Sequence, residues 1–120
     1  MSAFPPVRVL FVCRQNRRRS ATAERIFRKR ADLDVRSAGT DADALVHVNA
    51  QMLDWAELVF IMDEDQRVAL ATQFPGHPAL VRLVSLEIPD DYVFLDPELV
   101  SLLEARVEPH VTAFRSNEES

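Results

Sequence analysis

The single cysteine of this 120-residue sequence is followed by an arginine six positions later, in a markedly basic segment. The segment VLFVCRQNRRRS, residues 9–20, predicts a buried strand ending at Cys13, a short turn, and a helix beginning near Arg19. The backbone N–H groups of such a turn can point inward and bind an anion. The helix N-terminus adds unpaired N–H groups and the positive end of its dipole. Because a guanidinium can bind two phosphate oxygens at once, the pattern predicts an oxyanion site with a thiol at its base.

The same positive field acts on the Cys13 thiol. Helix N-termini and neighbouring cations favour the thiolate, which is the nucleophilic form of cysteine. Ser20, at the start of the predicted helix, is placed to donate its hydroxyl to the sulfur. A thiolate at the base of an oxyanion site can attack phosphorus, so we expect Cys13 to be a nucleophile and Arg19 a phosphate ligand.

Strands and helices alternate around this segment. The apolar runs predict strands at residues 7–13, 35–38, 58–62 and 80–86. Helices are expected from Ser20, after Asn49, from Asp63 to about residue 74, and from Asp96 onward. Alternation of this kind predicts a parallel sheet with helices on both faces. In such sheets ligands bind beyond the carboxyl ends of the strands, which is where Cys13 falls.

Composition limits the other possibilities. A chain of 120 residues that is 48% apolar can form one domain with one core, and we expect a single domain over residues 1–120. Residues 1–6 and about 115–120 are expected to be flexible, and Pro109 is expected to kink or end the last helix. No apolar run is long enough to span a membrane, and the N-terminal residues do not predict a signal peptide. A lone cysteine fits a reducing compartment, so we expect a cytoplasmic protein.

The net charge of −5 hides a basic segment. Residues 14–30 contain eight basic residues and one acidic residue, Glu24. Such a concentration of charge favours an anionic partner. For the four later members we favour a solvated helix face as the explanation; they are Arg25, Arg28, Lys29 and Arg30.

The sequence resembles the low-molecular-weight protein tyrosine phosphatases. That family has an apolar strand, the pattern Cys-x-Gly-Asn-x-Cys-Arg-Ser and a helix, and four residues match here: Cys13, Asn16, Arg19 and Ser20. Residues 37–40, Ser-Ala-Gly-Thr, and residues 60–70, FIMDEDQRVAL, resemble two further family segments. The resemblance implies a phosphotyrosine phosphatase I-like fold with strand order 2-1-3-4. It also implies that the loop asparagine is left-handed and is held by serine and histidine side chains, here Ser20, Ser37 and His47.

The resemblance also implies a general acid, an aspartate in a late Asp-Pro turn. Three aspartates compete for this role: Asp90, Asp91 and Asp96. Asp96 precedes a proline but is also a good helix N-cap. Asp90 directly follows the fourth predicted strand, as the family acid does, and Tyr92 falls where the family has an aromatic pocket wall. We therefore expect Asp90 to be the acid, with Asp91 and Asp96 as alternatives.

The loop departs from the family pattern at four positions. Gln15 occupies a glycine position and would be strained if that position requires a positive φ. Arg18 replaces a second cysteine, so an oxidised Cys13 could be rescued only by an external thiol. Arg14 and Arg17 replace apolar residues that enclose the tyrosine ring, leaving Tyr92 and Phe94 as apolar wall. These changes predict a preference for a more anionic phosphate compound over a generic phosphotyrosine peptide.

The interpretation from sequence is thus a phosphomonoester hydrolase that forms a cysteinyl-phosphate. The expected partners are a phosphotyrosine protein or a small anionic phosphate compound, with no nucleic acid, no membrane, and a monomer or weak dimer. No cofactor or metal is expected, since the histidines, at 47, 77 and 110, are scattered. Two alternatives stay open: an arsenate reductase that uses an external thiol, and a non-catalytic relative that binds phosphate or nucleotide.

Overall fold

A four-stranded parallel sheet forms the centre of the computed structural model, which describes residues 5–119 and, within them, the side chains up to residue 117. Its strands are β1 (Val7–Cys13), β2 (Leu33–Gly39), β3 (Leu58–Ile61) and β4 (Leu83–Ser85). The order across the sheet is β2-β1-β3-β4, and every pairing is parallel. The predicted fold class and strand order are confirmed. β1 is central because its nearly continuous apolar run suits a strand buried on both faces.

Within residues 5–119, four α-helices cover the sheet. They are α1 (Arg19–Phe27), α2 (Ala50–Trp55), α3 (Glu64–Gln73) and α4 (Pro97–Glu119). Side chains cap three of them as the sequence predicts: the Asn49 side chain accepts from Met52 N, Asp63 forms a capping box with Gln66, and the Asp96 carboxylate accepts from Glu98 N.

The two faces of the sheet belong to two apolar clusters. Val9, Phe11 and Cys13 belong to the cluster that α1 and α4 complete, whereas Leu10 and Val12 belong to the cluster that α2 and α3 complete. This alternation is the period-two pattern of a strand. It places the Cys13 side chain on the face that α1 covers.

The structure differs from the expected elements at the fourth strand, and it excludes one of the two effects expected of Pro109, the end of the helix. The fourth strand is only Leu83–Ser85, because the preceding residues form a 3-10 helix, Pro78–Arg82, that has proline in its first turn and is capped by the His77 ring. α4 passes through Pro109 without ending there. Pro109 is exposed while Val107 and Val111 are fully buried. The carbonyl that loses its partner can therefore be solvated while the apolar contacts hold the helix on the sheet.

The last helix extends to the last residue that the structure describes. α4 continues to Glu119, and Arg115 donates to the carbonyl oxygen of Asp32 at 2.6 Å; the flexibility expected from about residue 115 stays a prediction. Residues 1–4 and 120, also expected to be flexible, lie outside the described residues. Within residues 5–119, no helix has the combined length and apolar character of a membrane span.

Candidate active site

The turn between β1 and α1 encloses a cavity of about 130 Å³ at the carboxyl end of the sheet. Its walls come from the loop itself and from one residue that lies beyond β4 in sequence; the lining residues are Cys13, Arg14, Gln15, Arg17, Arg18, Arg19 and Asp90. The structure therefore brings together the three residues that the sequence places at the centre of the chemistry: Cys13, Arg19 and Asp90.

The Cys13 sulfur lies at the base of this cavity, and the residue as a whole is 3% exposed. The Ser20 hydroxyl is 2.9 Å from the sulfur, and the Asn16 backbone N–H donates to it at 3.3 Å. Within the described part of the chain, the backbone N–H groups of Gln15, Arg17 and Arg18 have no hydrogen-bond partner. They are available to an oxyanion, as are the first N–H groups of α1.

Asn16 is the residue that shapes the loop. Its φ of 60° is in the left-handed region, which asparagine tolerates better than most residues. Its side-chain NH₂ donates to the hydroxyls of Ser20 and Ser37, each at 2.9 Å. These two bonds tie the loop to α1 and β2.

The next member of this network is a residue that sequence reasoning missed. The Ser37 hydroxyl donates to the Glu24 carboxylate at 3.1 Å. His47, the expected partner, is exposed and pairs with Gly39 only through a backbone bridge. The structure therefore does not place His47 in the network. One signal could have found Glu24, since it lies four residues after Ser20 and so on the same face of α1.

Arg19 is buried at the side of the cavity, with 1% of its surface exposed. Its Nη1 donates to the Asp63 carboxylate and to the Ile88 carbonyl oxygen, both at 2.7 Å. Its Nε lies 3.6 Å from a carboxylate oxygen of Asp90 and, among the described residues, has no hydrogen-bond partner. The guanidinium is thus held by one edge and keeps donor capacity for a ligand.

The Asp63 carboxylate makes two contacts, and the sequence predicted only one of them, the capping of α3. One carboxylate oxygen accepts from Asp65 N at the start of α3, and the other accepts from Arg19. The second contact follows from topology, because β3 is adjacent to β1 and both strands end at the same edge of the sheet.

The three candidate acids occupy different environments. Asp90 lines the cavity with 47% of its side chain exposed. Asp91 is exposed and does not line the cavity. Asp96 caps α4, where its carboxylate accepts from Glu98 N at 2.9 Å. Of these three carboxylates, Asp90 is the one that lines the cavity together with Cys13.

The substituted loop positions fit without strain. Gln15 does not have a positive φ, so the glycine of the family pattern is not needed for this backbone. Arg14 lies 3.5 Å from the Asp41 carboxylate. Arg17 and Arg18 are exposed and, among the described residues, have no carboxylate partner. The rim of the cavity is therefore cationic.

The expected aromatic wall does not line the cavity. Tyr92 instead packs against the cluster of α1 and α4. The pKa of Tyr92 is raised, mainly because its hydroxyl is partly removed from water and to a smaller extent because the carboxylates of Glu98 and Asp91 are near. Phe94 is exposed and does not line the cavity either. No group of three His, Cys, Asp or Glu side chains within the described residues could hold a metal ion.

Comparison with known proteins agrees with this geometry. Residues 8–58 match the family model described as "Low molecular weight phosphotyrosine protein phosphatase", a range that includes the loop, Glu24 and Ser37 but not Asp63 or Asp90. No curated protein matches the sequence significantly.

Several solved structures share the fold. The YwlE arginine phosphatase from Geobacillus stearothermophilus is 20% identical with a TM-score of 0.68, and the match covers 93% of this chain and 97% of that one. A low-molecular-weight phosphotyrosine phosphatase from Vibrio cholerae O395 is 24% identical with a TM-score of 0.70, covering 92% and 98%. The tyrosine phosphatase Wzb from Escherichia coli K30, solved with phosphate, is 18% identical with a TM-score of 0.70, covering 88% and 96%.

Fold and cavity together define an α/β protein with a parallel sheet, in which a cysteine and an arginine lie at the two ends of the loop that encloses the cavity. The first part of the chain, residues 8–58, is thus similar to the low-molecular-weight phosphotyrosine protein phosphatases in sequence, and the whole domain shares the fold of these solved structures.

Proposed function

We propose that this protein hydrolyses phosphomonoesters through a cysteinyl-phosphate on Cys13, as a protein tyrosine phosphatase-like enzyme. The observation that carries the proposal is the position of the buried sulfur. It lies at the base of a cavity with Arg19 at its side, Asp90 at its rim and the Ser20 hydroxyl 2.9 Å away. A binding protein would have no use for a nucleophile and an acid facing the same anion site.

The first step forms a phosphorus–sulfur bond. The Cys13 thiolate attacks phosphorus, the ester P–O bond breaks, and the departing oxygen takes a proton from Asp90. Loop N–H groups and the free edge of the Arg19 guanidinium stabilise the charge on the transferred phosphoryl group.

The second step releases phosphate. The Asp90 carboxylate takes a proton from a water molecule, the water oxygen attacks phosphorus, and the P–S bond breaks to restore the thiolate. Asp90 thus ends the cycle protonated, and no metal or redox partner is required for the balance of atoms and electrons.

A structural neighbour supports the covalent step. In a solved structure of the YwlE arginine phosphatase, which is 20% identical with a TM-score of 0.64, serine replaces cysteine and the active-site serine is phosphorylated. The family match is to a phosphatase, so it does not favour the arsenate reductase alternative. A single cysteine that must stay reduced to act as a nucleophile also supports a cytoplasmic location.

Hydrolysis of phenyl phosphate tests the assignment. Cys13→Ala should reduce turnover to background; alanine is preferable to serine, because a serine can itself accept a phosphoryl group. Asp90→Asn should lower kcat by about 10²–10³-fold, with a smaller loss for p-nitrophenyl phosphate, whose leaving group needs less protonation. Asp91→Asn is the matched control and should leave kcat unchanged. Undiminished turnover in Cys13→Ala would end the proposal, and an effect of Asp91→Asn in place of Asp90→Asn would move the acid.

We propose further that the substrate carries a second anionic group close to its phosphate. Support comes from the cationic rim, where Arg17 and Arg18 are exposed and have no carboxylate partner among the described residues. The described cavity lining contains no large apolar side chain that could enclose a neutral aromatic ring of a substrate.

A substrate pair tests this preference. For a carboxylate-bearing aryl phosphate, the double variant Arg17→Ala/Arg18→Ala should lower kcat/KM by about tenfold more than for phenyl phosphate. Arg25→Ala, which changes an exposed cation of α1 outside the cavity, should affect both substrates alike. Equal losses for the two substrates in the double variant would reject the second anionic group.

A further inference from the structure

A continuous chain of hydrogen bonds connects the Cys13 sulfur to a carboxylate on α1. It runs from the sulfur to the Ser20 hydroxyl at 2.9 Å, then to the Asn16 NH₂ at 2.9 Å. The same NH₂ reaches the Ser37 hydroxyl at 2.9 Å, and that hydroxyl reaches Glu24 at 3.1 Å. All of these groups except the half-buried Glu24 lie in the protein interior.

The donors and acceptors in this chain can be assigned from chemistry. The Asn16 NH₂ has two hydrogens, and it donates one to each serine hydroxyl. A carboxylate only accepts, so the hydrogen of Ser37 is directed to Glu24. The Ser20 hydrogen is then free to point at the sulfur at 2.9 Å, since its other neighbour, the Ala38 carbonyl oxygen, is at 3.4 Å.

We infer that Glu24 is a positioning residue that holds this chain in the direction that stabilises the Cys13 thiolate. In the reversed arrangement the Asn16 amide is turned, so that its oxygen accepts from both serines. Ser20 then gives its hydrogen to Asn16 and the sulfur loses a donor. Glu24 opposes this reversal, because in the reversed arrangement the Glu24 carboxylate would no longer accept the Ser37 hydrogen. The inference rests on the proposed role of Cys13 as a nucleophile.

The charge of Glu24 acts in the opposite sense to its hydrogen bond. A negative carboxylate near the sulfur disfavours a second negative charge, so neutralising it would by itself favour the thiolate. If the hydrogen bonds between Cys13 and Glu24 lost their fixed direction, the thiolate would be disfavoured. The sign of the change in a Glu24→Gln variant therefore separates the two effects.

Alkylation of Cys13 by iodoacetamide measures the thiolate without any turnover. Because the protein has one cysteine, the rate of alkylation reports on Cys13 alone. A glutamine amide can donate to Ser37 as well as accept from it, so the side chain introduced by Glu24→Gln would no longer fix the direction of the hydrogen bonds. We therefore expect Glu24→Gln to raise the pH of half-maximal rate by about one unit, equivalent to about a tenfold loss of thiolate at lower pH. Glu24→Ala should give the same direction, and it replaces Glu24→Gln if that variant fails to fold.

Asp34→Asn is the matched control. Asp34 is an exposed carboxylate on β2, the strand that carries Ser37, and its substitution changes the charge equally. It should leave the alkylation profile unchanged. An unshifted or lowered profile in Glu24→Gln, or an equal rise in Asp34→Asn, would overturn the inference.

Two further measurements separate positioning from a collapsed loop. Inorganic phosphate should protect Cys13 from alkylation at a concentration within about twofold of wild type in Glu24→Gln, because the backbone N–H groups and Arg19 are retained. In a Ser37→Ala background, Glu24→Gln should cause no further upward shift, since its connection is already cut. Loss of phosphate protection, or the full upward shift in the Ser37→Ala background, would contradict a role through Ser37. If the alkylation profile behaves as expected while wild type hydrolyses no phosphomonoester, the proposed function fails and the role of Glu24 stands.

Discussion

The contact between Arg19 and Asp63 gives the most specific prediction about stability. Arg19 is 1% exposed and its Nη1 bonds to the Asp63 carboxylate at 2.7 Å. Substitution of Asp63 by asparagine removes the negative charge and keeps a residue that caps α3 well. The variant therefore tests the ion pair with little disturbance of the helix.

The expected loss is smaller than for a fully enclosed pair. Removing one partner of a buried ion pair typically costs about 3–5 kcal/mol. Here the Asp63 side chain is 31% exposed, Ile88 still accepts from the guanidinium, and Asp90 lies 3.6 Å from it. We therefore expect Asp63→Asn to lower the free energy of unfolding by about 2 kcal/mol, which corresponds to a fall in Tm of about 8 °C.

Urea and thermal unfolding, with and without inorganic phosphate, measure this effect. Asp65→Asn is the control, since Asp65 is also in the first turn of α3 and does not contact Arg19; it should cost at most about 0.5 kcal/mol. Phosphate should stabilise Asp63→Asn more than wild type, because it supplies the negative charge that Arg19 has lost. Equal stabilities of the two variants, or equal protection by phosphate, would refute the argument.

Three shorter predictions concern the loop around the cavity and the residue that precedes β2. Gly39→Ala would place a Cβ 2.5 Å from the carbonyl oxygen of Arg14, so we expect weaker phosphate protection of Cys13 and a loss of about 2 kcal/mol in urea unfolding. Gln15→Gly should not speed hydrolysis and should destabilise the protein by about 0.4–1 kcal/mol, because residue 15 does not need a positive φ; a faster variant would contradict this. The hydrogen bond from Arg30 lowers the pKa of Asp32. The ionised Asp32 carboxylate therefore stabilises the folded protein above about pH 4, and this contribution is lost as the pH falls further. The free energies of unfolding of wild type and Asp32→Asn should accordingly converge in acid.

The sequence was sufficient where local rules and burial agree. The apolar run of β1, the Asn49 cap and the Asp63 capping box each predict an element that the structure contains. The secondary structure around Pro78 was harder to predict, because a short apolar run does not distinguish a strand from a 3-10 helix. Pro109 does not end α4, because its local effect is outweighed by the tertiary packing of Val107 and Val111 on both sides of it.

The residues of one segment were predicted from the sequence itself, whereas residues of distant segments were predicted only where the family resemblance supplied them, as for Asp90 and Ser37. Cys13, Asn16, Arg19 and Ser20 lie within eight residues, so their proximity follows from one turn. The contact of Arg19 with Asp63 spans 44 positions and depends on β3 lying beside β1. Glu24 replaced the expected His47 in the network because α1 brings its carboxylate to Ser37. Residue types alone do not reveal such a pairing.

The covalent intermediate is the most direct test of the whole account. Asp90→Asn, in which hydrolysis of the intermediate should be slowed, is mixed with p-nitrophenyl phosphate, quenched in acid and digested, and its peptides are analysed by mass spectrometry. We predict one added phosphoryl group on the peptide that contains Cys13, and none on the same peptide from Asp90→Asn/Cys13→Ala. Turnover of the substrate with Cys13 unmodified at every quench time, or at an undiminished rate without the cysteine, would contradict the account.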